Sequence, residues 1–374
     1  MESLKKEDPI QSVLPKISKK QRIIALDAAR GLAVIGMFIQ HFALNDFNAS
    51  IVSGNTMILF ILCSGISYSL MSQRMIEKEV DPTVFRAQML ARAVFIDLIG
   101  YILIMLNGPF AVILPAYAVL FVLALMLFRR STRTLVTTSI ISFVLSPPIM
   151  ILGLSLFEGI DLLGDIAGGP LSALALIPVF TAGMAIGRLD LSNIRIALKL
   201  AIGGAILLIA TKLFTNSVLP GLRESFESWL LTFSSYASPQ IDPYAVWPLN
   251  ITPPAWQMLL YPSPQTGSTF QLMIGTGVAL LVLGTTCLIE TKGKIVLKPF
   301  AAVGRVALTL YVAHIVLGWI LQLAGLGYAL EGIPFGDLMV ALVTLLIGGL
   351  LSKLPMGPFE AALRRFDKLF SRGL

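Results

Sequence analysis

The sequence has little charge for its length, and this limits the classes of protein it can encode. Only 13% of its 374 residues are charged and 56% are hydrophobic, whereas a soluble domain is roughly a quarter charged. The mean hydropathy of +0.84 is too high for a water-exposed surface. These values exclude soluble Rossmann, TIM-barrel and all-β folds. They predict an all-α polytopic integral membrane protein.

Residues and motifs that carry common soluble chemistry are also scarce. The two cysteines, Cys63 and Cys287, lie in apolar runs without metal-ligand spacing, so neither a disulfide framework nor a metal site is expected. The chain has no GxSxG, HExxH, Walker A or GxGxxG motif. Its net charge of +7 does not predict a nucleic-acid partner, since positively charged cytoplasmic loops produce the same excess.

Ten apolar segments predict about ten transmembrane helices, with boundaries uncertain by about 2–4 residues. They lie near 23–44, 55–73, 89–107, 110–128, 134–156, 171–187, 195–214, 269–289, 298–323 and 334–353.

The distribution of lysine and arginine predicts the orientation of these segments. Of the 28 basic residues, 23 lie in the termini and alternate connections, which the positive-inside rule places in the cytoplasm. Both termini are therefore expected inside. The tail 1–22 is too polar for a signal peptide, so the first span is expected to remain uncleaved. Helices one to seven then occupy 23–214, and helices eight to ten occupy 269–353.

Two further regions stand out between and after these spans. Residues 215–268 form a long outer connection without clear periodicity, with eight of the 21 prolines and three of the four tryptophans. We interpret it as an interfacial cap, or alternatively as a lid or acceptor platform. The tail 354–374 has apolar residues at helical spacing and a basic face, which predicts an amphipathic helix on the anionic cytoplasmic leaflet.

The first span carries an aligned set of polar side chains, which are costly inside a bilayer. On a helix, six positions fall within about 80° of arc. Arg30 and His41 are 11 residues apart, roughly 16 Å along the axis. This alignment favours a cytoplasmic charged site and an outer-half base on one interior face. The alternative is a structural Asp27–Arg30 pair and a packed His41. The six positions are Asp27, Arg30, Val34, Phe38, His41 and Asn45.

The ninth span carries a second polar group: Arg305, Thr309, Tyr311 and His314. On a regular helix Arg305 and His314 face opposite ways. Thr309 lies about 40° from Arg305, and Tyr311 lies about 60° from His314. Arg305 and His314 reach one cavity only if the helix is broken or wedged between two bundle faces. Inter-helix hydrogen bonding is the structural alternative.

Other polar or small residues inside the spans have simpler explanations. Arg92 and Asp97 in the third span lie about 140° apart on a helix, so they are poor partners for each other, but they could pair with either of the two polar groups. The small-residue pattern of Gly183 and Gly187 is better explained by helix packing.

At these residues the chain resembles a known family. The opening RIIALDAARGLAVIGMFIQHF resembles the first motif of YeiB-like bacterial membrane proteins. These belong to a larger transmembrane acyltransferase group that includes heparan-α-glucosaminide N-acetyltransferase. The likeness covers almost the whole chain, through LFILCSGISYSL, AVILPAYAVLFVLAL, AGMAIGRLDL, PSPQTGSTFQ, VGRVALTLYVAH and GPFEAALRRF.

The resemblance implies a multi-pass protein of a prokaryotic plasma membrane. Its activity would move an acyl group, acetyl in the first instance, from cytoplasmic acyl-CoA to an extracytoplasmic acceptor hydroxyl or amine. Asp27 and Arg30 fall on the family's first motif, and His314 falls on the histidine after the ninth-span tyrosine. His41 stands where the heparan enzyme has asparagine, and that enzyme's outer-loop histidine has no counterpart here.

These residues can be given roles in acyl transfer. Arg30 and Arg305 have the charge needed for the phosphates of the donor. His41 or His314 is the natural general base, because no other side chain here titrates near pH 7. Asp27 is expected to orient Arg30. Tyr311 or Thr309 is expected to donate a hydrogen bond to the oxyanion, and Asn45 is expected to contact the substrate.

Two other functions stay open from the sequence. In a transporter of a small anionic metabolite or lipid headgroup, the arginines would bind the substrate and a histidine would relay protons. Prolines within the spans, at Pro115, Pro147–Pro148 and Pro178, fit that reading. A membrane scaffold is the third reading. The lipid bilayer is a partner in all three, and the oligomeric state is open, a homo-oligomer included.

The charge distribution makes a direct prediction about topology. In a cysteine-free background, a cysteine at position 240 should react with an impermeant maleimide from outside, and one at position 293 only after permeabilisation. Labelling of both positions from the same side would overturn the orientation.

Overall fold

The structure, a computed structural model, describes residues 23–157, 161–233, 254–326 and 333–371. Every regular element in these ranges is a helix. The predicted tail 1–22 and residues 234–253 of the long connection lie outside the described residues. The α-helices are α1 (Ile24–Phe42), α2 (Asp46–Val52), α3 (Asn55–Glu77), α4 (Pro82–Met105), α5 (Leu114–Leu127), α6 (Thr132–Leu156), α7 (Asp161–Ala167), α8 (Ala173–Ile186), α9 (Ile194–Ser217), α10 (Leu219–Phe233), α11 (Thr269–Lys292), α12 (Lys294–Arg305), α13 (Ala307–Leu323), α14 (Gly336–Leu351) and α15 (Pro358–Ser371).

The lengths and apolar character of these helices identify a membrane protein. Six described helices are long and apolar enough to cross a bilayer, or seven if the bent pair α12–α13 is one span. Three shorter apolar helices of 10–17 residues, α5, α8 and α14, accompany them. Each of the ten predicted segments overlaps one of these helices. The chain is therefore a helical membrane protein, while the count of ten spans and their orientation stay predictions.

Several helices begin where the sequence supplies a capping side chain. At the start of α4, the Asp81 carboxylate accepts the N–H of Thr83, and Pro82 occupies a position that needs no N–H donor. Serine and asparagine side chains accept backbone N–H groups at the starts of α6, α8, α9 and α11. These residues are Ser131, Ser172, Asn193 and Ser268.

The ninth predicted span is broken. Helices α12 and α13 meet at Val306 with a bend of 63°. The break leaves backbone N–H groups at the start of α13 without helical partners. The Glu360 carboxylate, from the tail helix α15, accepts the N–H groups of Leu308 at 2.8 Å and Thr309 at 3.2 Å. A residue some fifty positions downstream thus caps the second half of the span.

Helix α1 is capped in the same way by a distant carboxylate. Glu290, near the end of α11, accepts the N–H of Ile24 at 3.2 Å and of Ala25 at 2.8 Å. Both helices that carry the predicted site therefore begin on a glutamate from elsewhere in the chain. This fixes their starts without relying on local sequence.

Glycines let α1 and α12 touch through their backbones. A Cβ at Gly31 would overlap the carbonyl oxygen of Phe300, and one at Gly304 would overlap that of Asp27. Helices α3 and α8 cross similarly, since a Cβ on Gly183 or Gly187 would meet the backbone of α3. The prediction that these two glycines serve packing is confirmed.

The long outer connection contains more structure than its sequence suggested. Its first part forms α10, with Pro220 in the first turn, where a missing N–H is tolerated. The Tyr261 hydroxyl donates to Glu227 at 3.1 Å and links the end of the connection to α10. A 3-10 turn, Trp256–Leu260, packs its apolar side chains against Met150 and Ile151. The described part is thus helical in two places rather than an aperiodic loop.

The tail forms the predicted amphipathic helix, α15, and it docks against the bundle. Asp367 pairs with Arg92 of α4 at 2.6 Å, and the rings of Phe366 and Phe95 lie 5.5 Å apart. With Glu360 on α13, these contacts join α15 to two helices of the core. A role as a surface anchor alone does not account for them.

Tight backbone contact predicts a sharp stability difference between two glycine substitutions. Gly31→Ala should lower detergent-solubilised stability by about 1–3 kcal/mol, because its methyl group must displace backbone of α12. Gly203→Ala in α9 is the control, since a Cβ there meets nothing within 4 Å. Thermal unfolding of both variants checks this, and equal melting temperatures would contradict the close crossing.

Candidate functional site

The only two histidines of the sequence meet inside the bundle. His41 lies in the last turn of α1, and His314 lies in the middle of α13. Their rings are stacked, with centroids 5.2 Å apart and planes 19° from parallel. His314 is 1% exposed, and His41 is half-buried. The ninth span is broken at Val306, as the sequence required for Arg305 and His314 to share a cavity, but Arg305 is exposed and only His314 lies beside His41.

Three of the four imidazole nitrogens are buried without a hydrogen-bond partner among the described residues. They are Nδ1 of His41 and both ring nitrogens of His314. Buried polar atoms are normally paired, so such a group calls for an explanation such as a ligand or a catalytic role. Within the described residues no group of three His, Cys, Asp or Glu side chains could hold a metal ion.

Phe110, from the connection between α4 and α5, covers the histidine pair. Its ring stacks on His41 with centroids 4.2 Å apart and planes 11° from parallel. A Cβ on Gly318 of α13 would overlap the Phe110 ring, so this glycine leaves the space that the ring fills. The connection is held in turn by Tyr311, whose hydroxyl accepts the N–H of Ile113 at 2.9 Å.

Tyr311 also borders His314, with ring centroids 4.8 Å apart in an edge-on arrangement. Its hydroxyl accepts one hydrogen bond from the backbone, so the phenolic proton remains available for donation. Of the two oxyanion donors that the sequence proposed, Tyr311 is therefore the one placed beside the histidines.

The charged end of the α1 stripe lies in the first turns of the helix. Arg30 pairs with Asp27 at 3.3 Å and donates to the Ser67 hydroxyl of α3 at 2.5 Å. Asp27 is 7% exposed, and the Arg30 side chain is 20% exposed. The predicted i,i+3 pair is present, and Ser67 joins it from a neighbouring helix.

Three predicted site residues lie apart from the histidines or are engaged elsewhere. The Thr309 hydroxyl donates to Glu360 at 2.5 Å and accepts the N–H of Phe359, so it fastens the tail helix. Arg305, at the helix break, is exposed and makes no hydrogen bond or ion pair with the described chain. Asn45 caps α2 in a reciprocal pair with Asn48.

Sequence reasoning missed several residues that shape the site. Phe110 and Ser67 come from other helices or connections and carry no local signal of their role. Glu360 and Arg92 were visible as charges, but their partners lie far away in the chain. Arg92 pairs with Asp367 rather than with either predicted polar group. The expectation that Arg92 and Asp97 do not pair is met.

Comparison with known proteins finds one family model that is similar to the C-terminal third of the chain. Residues 243–368 match the sequence model described as "Protein of unknown function (DUF418)", a family of YeiB-like membrane proteins. The match includes Tyr311, His314 and Glu360, whereas Arg30 and His41 lie before it. No curated protein matches the chain. The resemblance to YeiB-like membrane proteins is thus supported over residues 243–368, and the family description states no activity.

The Phe110 cover predicts a change in histidine reactivity. Phe110→Ala should speed the modification of His41 by diethyl pyrocarbonate several-fold, because it removes the ring stacked on the imidazole. His314, which is 1% exposed, should stay protected. Peptide mass spectrometry can follow both sites, with the exposed Phe47→Ala as control. An unchanged His41 rate would show that Phe110 does not shield it.

Proposed function

We propose that this protein is a membrane acyltransferase that transfers an acyl group from acyl-CoA to a hydroxyl or amine. The observation that carries the proposal is the histidine pair. The chain has two imidazoles, and the fold brings both into one buried cluster with unpartnered nitrogens. A hydroxyl or amine acceptor would supply the missing partner and give up its proton there.

In this mechanism His41 is the general base. His41 is the more exposed of the two histidines, so an acceptor can reach it. The buried His314 stacks its ring against that of His41. The acceptor oxygen or nitrogen attacks the thioester carbonyl carbon as its proton passes to imidazole. The carbon–sulfur bond then breaks, and the leaving thiolate of CoA takes up the proton that the imidazole received. Tyr311 donates its phenolic proton as a hydrogen bond to the developing oxyanion.

The donor is expected to enter at the Arg30 end of α1. A polyanionic nucleotide suits a guanidinium that Asp27 and Ser67 hold in place. Arg30 and His41 lie roughly 16 Å apart along one helix, as the rise per residue requires. The extended pantetheine arm would cover this distance and bring the thioester to the histidines. The acceptor would approach from the opposite end, where Phe110 covers His41.

This proposal includes ten spans and cytoplasmic termini. Contacts between distant helix ends support the placement of these ends on one side of the membrane. Glu290 at the end of α11 caps the start of α1, and the tail reaches Arg92 and the start of α13. Those ends carry the lysine and arginine excess, so the basic side of the bundle is the cytoplasmic one.

Transport is the weaker reading of the same geometry. Transporters use free N-termini of broken helices to bind anionic substrates. Here the break in the ninth span has its N-terminus occupied by the Glu360 carboxylate. A scaffold, in turn, gives no reason for unpartnered imidazoles in the interior. Transport and a scaffold role remain the alternatives that the assay with labelled acetyl-CoA tests.

The histidines give the proposal its test. Purified protein with labelled acetyl-CoA and a panel of amino sugars and polyols should release CoA in step with acyl-acceptor formation. His41→Gln should lower turnover per folded protein by about 10²–10⁴-fold, because proton transfer is lost. Monodispersity in detergent provides the check on folding.

His314→Gln separates the two candidate bases. If the turnover of His314→Gln falls a hundredfold or more while the turnover of His41→Gln stays within about threefold of wild type, His314 is the base. If the wild type leaves the thioester intact with every acceptor, the transferase proposal fails and transport moves ahead.

A further inference from the structure

Two arginines from different helices contact adjacent turns of α3. Arg30 of α1 donates from Nη2 to the Ser67 hydroxyl at 2.5 Å. Arg92 of α4 donates from Nη1 to the Met71 sulfur at 3.3 Å. Ser67 and Met71 are four residues apart and lie on the same face of α3. The two guanidiniums therefore approach one face from two sides.

The arginine side chains are 20% and 26% exposed, so both are largely withdrawn from the surface. Each arginine has one carboxylate partner, Asp27 for Arg30 and Asp367 for Arg92, so two partly buried ion pairs lie beside one face of α3.

Each arginine keeps unused hydrogen-bonding capacity. A guanidinium has five N–H donors. Arg30 engages Asp27 and Ser67, while Arg92 engages Asp367 at 2.6 Å and a thioether sulfur, which is a weak acceptor. Nε of Arg92 is buried without a partner in the described chain. The site offers donors that its own residues do not satisfy.

We propose that Arg30 and Arg92 together form a binding site for a phosphate ester, beside the face of α3 that carries Ser67 and Met71. Guanidinium groups bind phosphate through paired hydrogen bonds, and two of them from separate helices can hold one dianionic group. Asp367 competes for Arg92 and partly fills the site when it is empty. Arg92 is thus a second ligand-binding arginine, beyond Arg30.

This inference rests on the proposed function, because it assigns a binding site to the phosphates of the acyl-CoA donor. It is tested by binding alone, so it can fail or hold whether or not the protein transfers acyl groups. The phosphate ester has two potential sources: a soluble nucleotide such as that of CoA, or a phospholipid headgroup. The experiment distinguishes them.

Adenosine 3′,5′-bisphosphate is the probe, with adenosine as its uncharged control, titrated by calorimetry into full-length protein in neutral detergent. Arg92→Gln should weaken binding about tenfold or more, the effect of losing a charge-assisted hydrogen bond. Arg30→Gln should do the same. Asp367→Asn should tighten binding several-fold, because it removes the competing carboxylate while Arg92 remains.

Two controls separate binding from folding. Arg86→Gln removes an arginine from the same helix, at a position that lies over the Phe128 ring, and should bind the probe like wild type. The double variant Arg92→Gln with Asp367→Asn leaves no unpaired buried carboxylate, so it should be folded and still bind weakly. If that double variant binds the probe with wild-type affinity, the proposal is overturned.

Probe binding in nanodiscs of two lipid compositions distinguishes the two sources of the phosphate ester. If the wild type binds the probe equally in phosphatidylcholine nanodiscs and in nanodiscs containing phosphatidylglycerol, the site takes a soluble ester. If phosphatidylglycerol abolishes probe binding in the wild type, and Arg92→Gln no longer retains that lipid, the site takes a headgroup. If neither probe nor lipid depends on Arg92, there is no two-arginine phosphate site.

Discussion

The arrangement of the site depends on one carboxylate, that of Glu360 at the start of α13. The break in the ninth predicted span leaves backbone N–H groups at the start of α13 without helical partners. Glu360 accepts two of these N–H groups and the Thr309 hydroxyl. The break is thereby stabilised, and the 63° bend changes the direction of the second half of the span. His314 lies on that second half, beside His41.

The interior shows a consistent division of its ionisable groups. Glu290 and Glu360 cap helix starts, and Asp27 and Asp367 each hold an arginine. Carboxylates in these places satisfy backbone or guanidinium donors that would otherwise be costly to bury. The histidines are the exception, because three of their nitrogens have no partner in the described chain. The acids thus satisfy structural donors, whereas these imidazole nitrogens have no such role in the described chain.

The close helix crossings also position the elements of the site. Gly31 and Gly304 bring α1 and α12 into backbone contact, which places the start of α13 next to α1. Gly318 then leaves room for Phe110 over His41. Each of these glycines acts through the side chain it lacks, and each positions an element that carries a polar group of the site. The tail helix completes the arrangement by joining α4 to α13.

The sequence by itself determined the class of protein, the positions of the apolar helices and the polar stripe of α1. These follow from composition and from periodicity within one helix, which are local properties. It also showed that Arg305 and His314 could share a cavity only through a broken helix, although it did not show that the break occurs or that Arg305 is left exposed. Only the tertiary structure decided that Glu360 caps the break, that Phe110 covers His41 and that Arg92 pairs with Asp367. Each of these contacts joins residues far apart in the chain, and nothing in the local sequence of either partner specifies the other. The pairing of two histidines across 273 positions has the same origin: helix packing brings together what the sequence keeps separate.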